Sequence, residues 1–451
     1  MKISGKTFNF DELFKDELND LRIENKYIRI EKQIDINYDI LDLIFGYNVK
    51  EQFYFKDKNN SYEIAGLGNI LTIKSSSQHE ISKELKKLWN IDDNLCVFGG
   101  VSFFLDKIKS AEWKRFNCFR FTIPFIEIRK EENITKLIIN FYNHNNLKAL
   151  DVVKEISYKL KSIDNALTTN ADIIPNKICN ELLIPNQKQW ENIIYKALTK
   201  INEKEISKIV LSRKKVLVGK NTWNPLLILN KISTIKENSF IFFYKISDEN
   251  IFLGRSPERL ISIKNNFLTA ESIAGTRPRG KTDEEDHALE IELLNSKKER
   301  EEQRIVSRYI EGQMAKFCKN FNTEILEEIL KLENIQHVIT KYKGELDTNN
   351  NFLEILLSFH PTPAVGGNPS KRAQELIREY EPFERGWYAA PIGWMKKNEA
   401  DFAVGIRSAL IHKHELHIFG GAGVIHESDP YNEWKEIEYK MSNYSVSDEV
   451  N

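Results

Sequence analysis

Hydrophobic positions in the first third of the chain fall in short runs, several of them alternating and rich in aromatic and β-branched residues. EQFYFK (51–56), LCVFGGVSFF (95–104), CFRFTIPFIEI (118–128) and KLIINFY (136–142) are of this kind, and such runs predict strands. TTNADIIPN (168–176) is polar, contains proline and lacks a period, which predicts a connector. After it, NQKQWENIIYKALTKINEKE places Trp190, Ile193, Ile194 and Leu198 on one face of an amphipathic helix. Further strands are predicted at 206–218, 239–246, 251–256, 259–264 and 267–273, then one continuous helical stretch over 282–318. Thr282 and the carboxylates behind it suit a helix start, where acidic groups meet the positive end of the helix dipole. The last third alternates strands (337–343, 387–394, 401–411, 415–419) with helices (352–359, 370–380, 430–444). Groups of strands with helices between the groups predict an α/β (α+β) fold, a large two-sheet sandwich with helices outside, rather than a regular βαβ array.

Composition supports a folded chain. Its 451 residues are 41% hydrophobic, 11% aromatic and 29% charged, enough for a large core and unlike a disordered sequence. With 65 basic and 66 acidic side chains the formal charge is −1, so binding of nucleic acid or an anionic membrane through bulk positive charge is excluded. Cys96, Cys118, Cys179 and Cys318 are widely spaced and match no disulfide framework or zinc pattern, so reduced core thiols are expected. No apolar run approaches 18 residues and the N-terminus has no signal-like apolar region; a cytoplasmic protein is the expectation.

One motif misleads. Residues 275–282, GTRPRGKT, satisfy the phosphate-binding pattern G-x-x-x-x-G-K-[ST] between a predicted strand and a predicted helix. However, Asp283, Glu284, Glu285 and Asp286 fill the first helical turn and would repel phosphates, and Pro278 removes a backbone donor. Nucleotide binding is therefore a minor alternative.

Carboxylates offer more. In the final helix Glu433, Glu436 and Lys440 follow at i, i+3 and i+7 and share a face, while Trp434, Ile437, Met441 and Tyr444 are expected toward the core. Two carboxylates one turn apart make half of a magnesium site, since magnesium takes few carboxylates and fills its shell with water and substrate oxygens. SKKEREEQR (296–304) has no apolar residue and is a source for the other half, although by itself it reads as a solvated face of i,i+4 ion pairs. HPTPAVGGNP (360–369) and FGGAG (419–423) are glycine-rich turns that permit close approach of backbone to a ligand.

Taken together, these segments resemble the chorismate-utilising enzymes, most of all the isochorismate synthases of the menaquinone type. The resemblance runs from about 185 to 445 through ordered blocks: KIVLSRK (208–214), GRSPERL (254–260), ESIAGTRPRG (271–280), SKKEREE (296–302), QHVITKYKGEL (336–346), HPTPAVGG (360–367), EPFERGWYAAPIGW (381–394), GIRSAL (405–410), FGGAG (419–423) and EWKEIEYKMS (433–442). It implies that Lys208 is the general base that activates water and Glu258 the general acid for the departing C4 hydroxyl. It also implies Glu302 and Glu436 as magnesium ligands, with Glu433 a further carboxylate acting through water. Arg407 and Lys440 would receive the substrate carboxylates, and Gly275, Thr276, His337, Tyr388 and Gly421 would line the pocket. Ala364 stands where the salicylate, anthranilate and aminodeoxychorismate enzymes typically show threonine, so Lys208 with Ala364 points to water as nucleophile and to isochorismate as product.

These roles carry physical demands. Chorismate is a dianion, which Arg407 and a magnesium ion would neutralise at its two ends. Hydroxide leaves poorly, so Glu258 must hold a proton, which needs a raised pKa. Lys208 must be neutral to accept one, which needs desolvation or positive neighbours. The reaction implied is a magnesium-dependent isomerisation serving menaquinone or, alternatively, siderophore synthesis; a salicylate synthase is the nearest alternative. The expected division is 1–180, an N-terminal part resembling that of menaquinone-type enzymes and completing the sandwich, and 181–451, the chorismate-binding catalytic region. No amidotransferase segment is evident, and no obligatory amidotransferase subunit is expected.

Overall fold

Strands apolar on at least one face need a second layer, and the computed structural model supplies it with two large antiparallel sheets surrounded by helices. It describes residues 8–444 except 24, 36–38, 107, 167–175, 235–237, 333–334 and 348–350. The connector expected at 168–176 lies, apart from Asn176, outside the described residues.

Among the described residues the larger sheet has twelve strands. In spatial order they are Tyr27–Ile34, Ile134–Tyr142, Ile126–Glu131, Tyr62–Leu67, Gln52–Lys56, Phe240–Ser247, Asn250–Ser256, Ser408–His412, Glu415–Val424, Lys208–Gly219 and the short Gly367–Asn368; Ile178–Ile184 also pairs with Lys208–Gly219. The nine-stranded sheet runs Cys318–Lys331, Ile335–Leu346, Phe267–Pro278, Arg259–Lys264, Ala400–Val404, Pro391–Met395, Val97–Val101, Phe119–Ile123, Leu71–Ser75. Each sheet takes strands from both sides of residue 180, so both halves of the chain contribute to both layers.

Aromatic rings from the two sheets close the space between them. Phe53 stacks on Phe98 at 5.4 Å between ring centres, and Tyr62 meets Trp394 edge-on at 5.8 Å. Farther along, rings from turns join them, Phe116 packing on Trp387 and Trp113 on Phe252 of the larger sheet. Burying each such side chain contributes roughly 1.5–3 kcal/mol, so this seam outweighs any single polar contact in holding the layers together. Outside, the helix Gln187–Asn202 starts with an Asn186 capping box and buries Trp190, Ile194, Ala197 and Ile201.

Several elements differ from the pattern-based expectation, each for a local reason. CFRFTIPFIEI is two strands, Phe119–Ile123 and Ile126–Glu131, parted by Pro124, which lacks a ladder donor. The helix expected over 282–318 is two helices, Asp283–Asn295 and Lys297–Phe317. Ser296 is extended between them, and its hydroxyl caps the second helix by accepting from the Glu299 amide. Strand 401–411 breaks into Ala400–Val404 and Ser408–His412, with Arg407 in a left-handed conformation (φ 46°) between them. Residues 387–390 form a turn ahead of the strand Pro391–Met395. Cys318–Lys331 is an edge strand, exposed over 319–324 and interrupted by register shifts at 318/320, 323/325 and 325/328, so no strict alternation runs through it. Cys96, Cys118 and Cys318 are buried free thiols, whereas Cys179 is exposed.

Candidate active site

A narrow cleft opens where the two sheets meet the helices Lys297–Phe317 and Pro430–Met441. Val210, Phe419 and Gly421 come from the larger sheet, Ala274, Gly275, Thr276 and His337 from the smaller one. Glu302 projects from the first helix, Glu436 and Lys440 from the second. Loops add Glu258, Ala364, Tyr388 and Arg407. The structure thus brings eleven of the thirteen expected site residues to one lining. Lys208 stands in the wall and Glu433 sits behind Glu436, one helical turn before it.

Lys208 begins the strand Lys208–Gly219 and is fully buried. Its Nζ faces Glu302 Oε1 at 2.8 Å, so of the two expected surroundings, desolvation or positive neighbours, the burial is present and the partner is a carboxylate. Burial opposes charge on Glu302, but the ammonium groups of Lys208, Lys440 and Lys298 prevail and hold its pKa below the usual carboxylate value. Gly423 makes room for this pair: a Cβ there would stand 2.8 Å from Glu302 Oε1 and 3.1 Å from Lys208 Cε.

Glu258 lies in the loop between the strands Asn250–Ser256 and Arg259–Lys264. Its amide donates to Ser256 Oγ (3.3 Å) and its carbonyl accepts from the Val404 amide (3.1 Å). The side chain is 3% exposed, and among the described residues Oε1 has no hydrogen-bond partner. Burial, and after it the charge of Glu271, push its pKa up to about 8 against the opposing pull of Lys208, Lys58 and Lys440. At neutral pH it is a buried carboxylic acid that can give up a proton.

On the opposite wall His337 stands between strand and loop. Its Nδ1 is 3.0 Å from the Gly275 carbonyl and 3.2 Å from Thr276 Oγ1, and its Nε2 is 3.3 Å from Arg407 Nη2. A carbonyl only accepts, so Nδ1 carries the hydrogen and Nε2 accepts from the guanidinium. Burial, then the positive Arg407 and Lys440, lower the His337 pKa to about 3, so the ring stays neutral and orients Arg407 without repelling it. Gly275 holds φ +72° at a bulge between Ala274 and Thr276, which turns the Thr276 amide onto Glu299 Oε2 at 3.0 Å. The Arg407 backbone carbonyl accepts from the Arg255 amide (3.0 Å) and from the Tyr444 hydroxyl, which fixes the left-handed turn.

Lys440 Nζ donates to the Gly421 carbonyl (3.0 Å) and to Glu436 Oε1 (2.5 Å). Burial works against its charge, yet Glu436 more than restores it and its pKa is raised. Glu433 is buried, 3.6 Å from Lys298 Nζ; desolvation and the neighbouring Glu436 raise its pKa to about 7. Among the described residues no three His, Cys, Asp or Glu side chains converge at metal-ligating distance. The donor chemistry nevertheless fits a magnesium ion. Glu299, Glu302, Glu433 and Glu436 all act on the ammonium of Lys298, while Glu302, Glu436 and Glu299 are also paired with Lys208, Lys440 and Arg277. Glu302 and Glu436 line the same cleft, and magnesium takes one or two carboxylates with substrate oxygens and water rather than an all-protein cage.

The phosphate-loop pattern is spent on the fold itself. The Gly280 amide donates to Asp286 Oδ1 (2.9 Å), the Lys281 amide to Glu285 Oε2 (2.8 Å), and Arg279 forks onto Asp286 (2.7 and 2.9 Å). Donors that would cradle phosphate serve the carboxylates of the following helix.

Sequence reading did not single out Glu381 and Arg385. Arg385 is fully buried and donates to the carbonyls of Val365 (2.8 Å) and Val210 (2.7 Å) and to Glu381, whose other contact is the Ser212 amide (2.7 Å). The pair ties the Ala364 loop to the strand bearing Lys208. Both residues fall within a block quoted for the resemblance, but polar residues after a helix carry no pattern that announces burial.

A cleft lined by Arg407 and Lys440 together with Glu302 and Glu436, with the buried acid Glu258 beside them, suits a small anion that undergoes proton transfer. The family model for chorismate binding enzymes matches residues 17–445, and the chain belongs to that family, whose substrate is chorismate. The chain is 28% identical over 419 residues to the isochorismate synthase MenF of Haemophilus influenzae, covering 93% of this chain and 91% of that one. It is 28% identical over 397 residues to the chloroplastic isochorismate synthase of Catharanthus roseus, covering 86% and 68%. The solved structure of the menaquinone-specific isochorismate synthase of Escherichia coli shares the fold with a TM-score of 0.84 at 23% identity, over 97% of this chain and 99% of that one.

Proposed function

We propose that the protein is an isochorismate synthase that converts chorismate to isochorismate by adding water at C2 and losing the C4 hydroxyl. The observation that carries this reading is the pairing of chemistries in one cleft: a protonated, buried Glu258 and a buried Lys208, with Ala364 in the lining. Lys208, in its neutral amine form, takes a proton from the water that attacks C2. The ring double bond shifts, and Glu258 gives its proton to the C4 oxygen, which departs as water. One water enters and one leaves, so substrate and product are isomers. Arg407, oriented by neutral His337, and Lys440 meet the substrate carboxylates. Glu302 and Glu436 would hold a magnesium ion, which would supply positive charge to offset that of the anionic substrate. Menaquinone synthesis is the pathway that the similarity to menaquinone-type enzymes favours.

Product identity tests the reading. Purified protein with chorismate and magnesium is expected to yield isochorismate. Salicylate and pyruvate as sole products would replace it with a salicylate synthase, and an ammonia-dependent fluorescent aromatic amine with an anthranilate-type enzyme.

A further inference from the structure

The loop that carries Glu258 is gripped on both sides by one buried ion pair. Lys58 Nζ lies 2.5 Å from Glu271 Oε2, with the two residues 7% and 2% exposed. The same ammonium donates to the Pro257 carbonyl (3.3 Å), and Glu271 Oε2 accepts from the Arg259 amide (3.3 Å). The residues before and after Glu258 are thus each bonded to one member of the pair. Lys58 comes from far away in sequence, in the turn between the strands Gln52–Lys56 and Tyr62–Leu67. That turn is itself rigid. Asp57 accepts from the Asn59 amide (3.1 Å) and the Ser61 hydroxyl (2.6 Å), Asn60 takes a left-handed conformation (φ 57°), and Arg259 bridges Asp57 (2.6 Å) and Asp401 (3.0 Å). Burying two charges is costly unless they are paired and hydrogen-bonded, and both main-chain hydrogen bonds made by this pair fall next to Glu258.

We propose that the Lys58–Glu271 pair is a positioning clamp for Glu258, by which a hairpin turn of the N-terminal region sets the orientation and the protonation of the acid in the cleft. The inference rests on Glu258 being the acid of the reaction. The charged groups acting on Glu258 are Glu271, Lys208, Lys58 and Lys440. Glu271 favours the protonated form and Lys58 the ionised one, so removing them has opposite consequences, which a purely structural role does not produce.

The test compares Glu271→Gln, Lys58→Met and the double variant K58M/E271M with the unaltered full chain, measuring kcat and KM for chorismate from pH 5.5 to 9. Glu271→Gln is expected to move the alkaline limb of the kcat/KM profile down by about one pH unit, and Lys58→Met to move it up. At pH 6 both are expected to keep KM within about threefold, because neither residue lines the cleft. The double variant leaves no unpaired buried charge and stands in where a single variant fails to fold. In it kcat is expected to fall at least about tenfold with KM little changed, since nothing then fixes the two peptide groups. Unshifted limbs in the single variants, or an unchanged kcat in the double one, overturn the clamp. Glu258→Gln separates the two levels: if it is inactive while the clamp variants behave like the unaltered chain, only the clamp fails, and if it is active, the acid assignment falls and the clamp with it.

Discussion

Replacing Glu258 with glutamine preserves its shape and removes its ability to ionise, and the consequence for stability follows from its surroundings. In the folded chain the carboxyl titrates near 8, against an ordinary value of 4.5. The folded pKa lies above the unfolded one, so between these values the native state holds a proton that the unfolded state has released. This contribution to stability is fully present below pH 4.5 and is lost as pH rises through 8. At pH 7 the loss is about 3 kcal/mol, and above pH 8 about 5 kcal/mol. Glutamine has no such loss. Its buried amide costs a roughly constant 1–3 kcal/mol where it finds no partner, so the pH dependence of the difference is the informative quantity. For a chain of this length the unfolding entropy makes each kcal/mol worth about 1 °C. The melting temperature of Glu258→Gln relative to the unaltered protein is therefore expected to rise by about 2–3 °C between pH 5 and pH 7, as read by circular dichroism. The same variant is expected to lose chorismate turnover by about 10²-fold or more. A melting difference that does not change with pH would refute the buried-acid argument, even if activity were lost.

Other consequences are more direct. Lys208→Ala is expected to lower kcat by roughly 10²-fold or more in a steady-state assay; near-normal turnover would remove Lys208 from the mechanism. Glu302→Gln is expected to weaken the magnesium requirement and chorismate binding together, and an unchanged magnesium titration would place the ligand elsewhere. Gly423→Ala puts a methyl group 2.8 Å from the Glu302 carboxylate, so kcat is expected to drop about tenfold or more while thermal stability changes little; unaltered kinetics would mean that the Lys208–Glu302 arrangement is not needed. For the unaltered protein kcat/KM is expected to decline above about pH 8, where Glu258 loses its proton; a profile flat to pH 9.5 would contradict the acid role.

The sandwich was legible because its central strands combine β-branched and aromatic residues with turn signals, a pattern that survives without an alignment. The helix-borne carboxylates were legible for a similar reason, since i, i+3 and i+7 spacing places Glu433, Glu436 and Lys440 together whatever surrounds them. The breaks that aim the site were less visible. Hydrophobic character continues through 401–411, so nothing in the pattern marks the left-handed turn at Arg407, which is held by the Tyr444 hydroxyl from the end of the chain. Lys58 lies in KDKNNS, a polar run that reads as a solvated turn; it is buried only because Glu271 and the Pro257 carbonyl meet it from the other sheet and its connecting loop. Contacts between residues 199 and 213 positions apart leave no local period to read. The split at Ser296 belongs with them, since serine is tolerated within a helix and becomes a stop only when its hydroxyl turns to cap the next one.

The central claim, that water enters at C2 while Glu258 expels the C4 oxygen, is tested most directly by running the reaction in ¹⁸O-enriched water and locating the label by mass and NMR spectrometry. Isochorismate carrying the label at the C2 hydroxyl, with Lys208→Ala and Glu258→Gln each abolishing its incorporation, is the expected result. Isochorismate formed with its original oxygen moved from C4 to C2, or label incorporation undiminished in either variant, would contradict it.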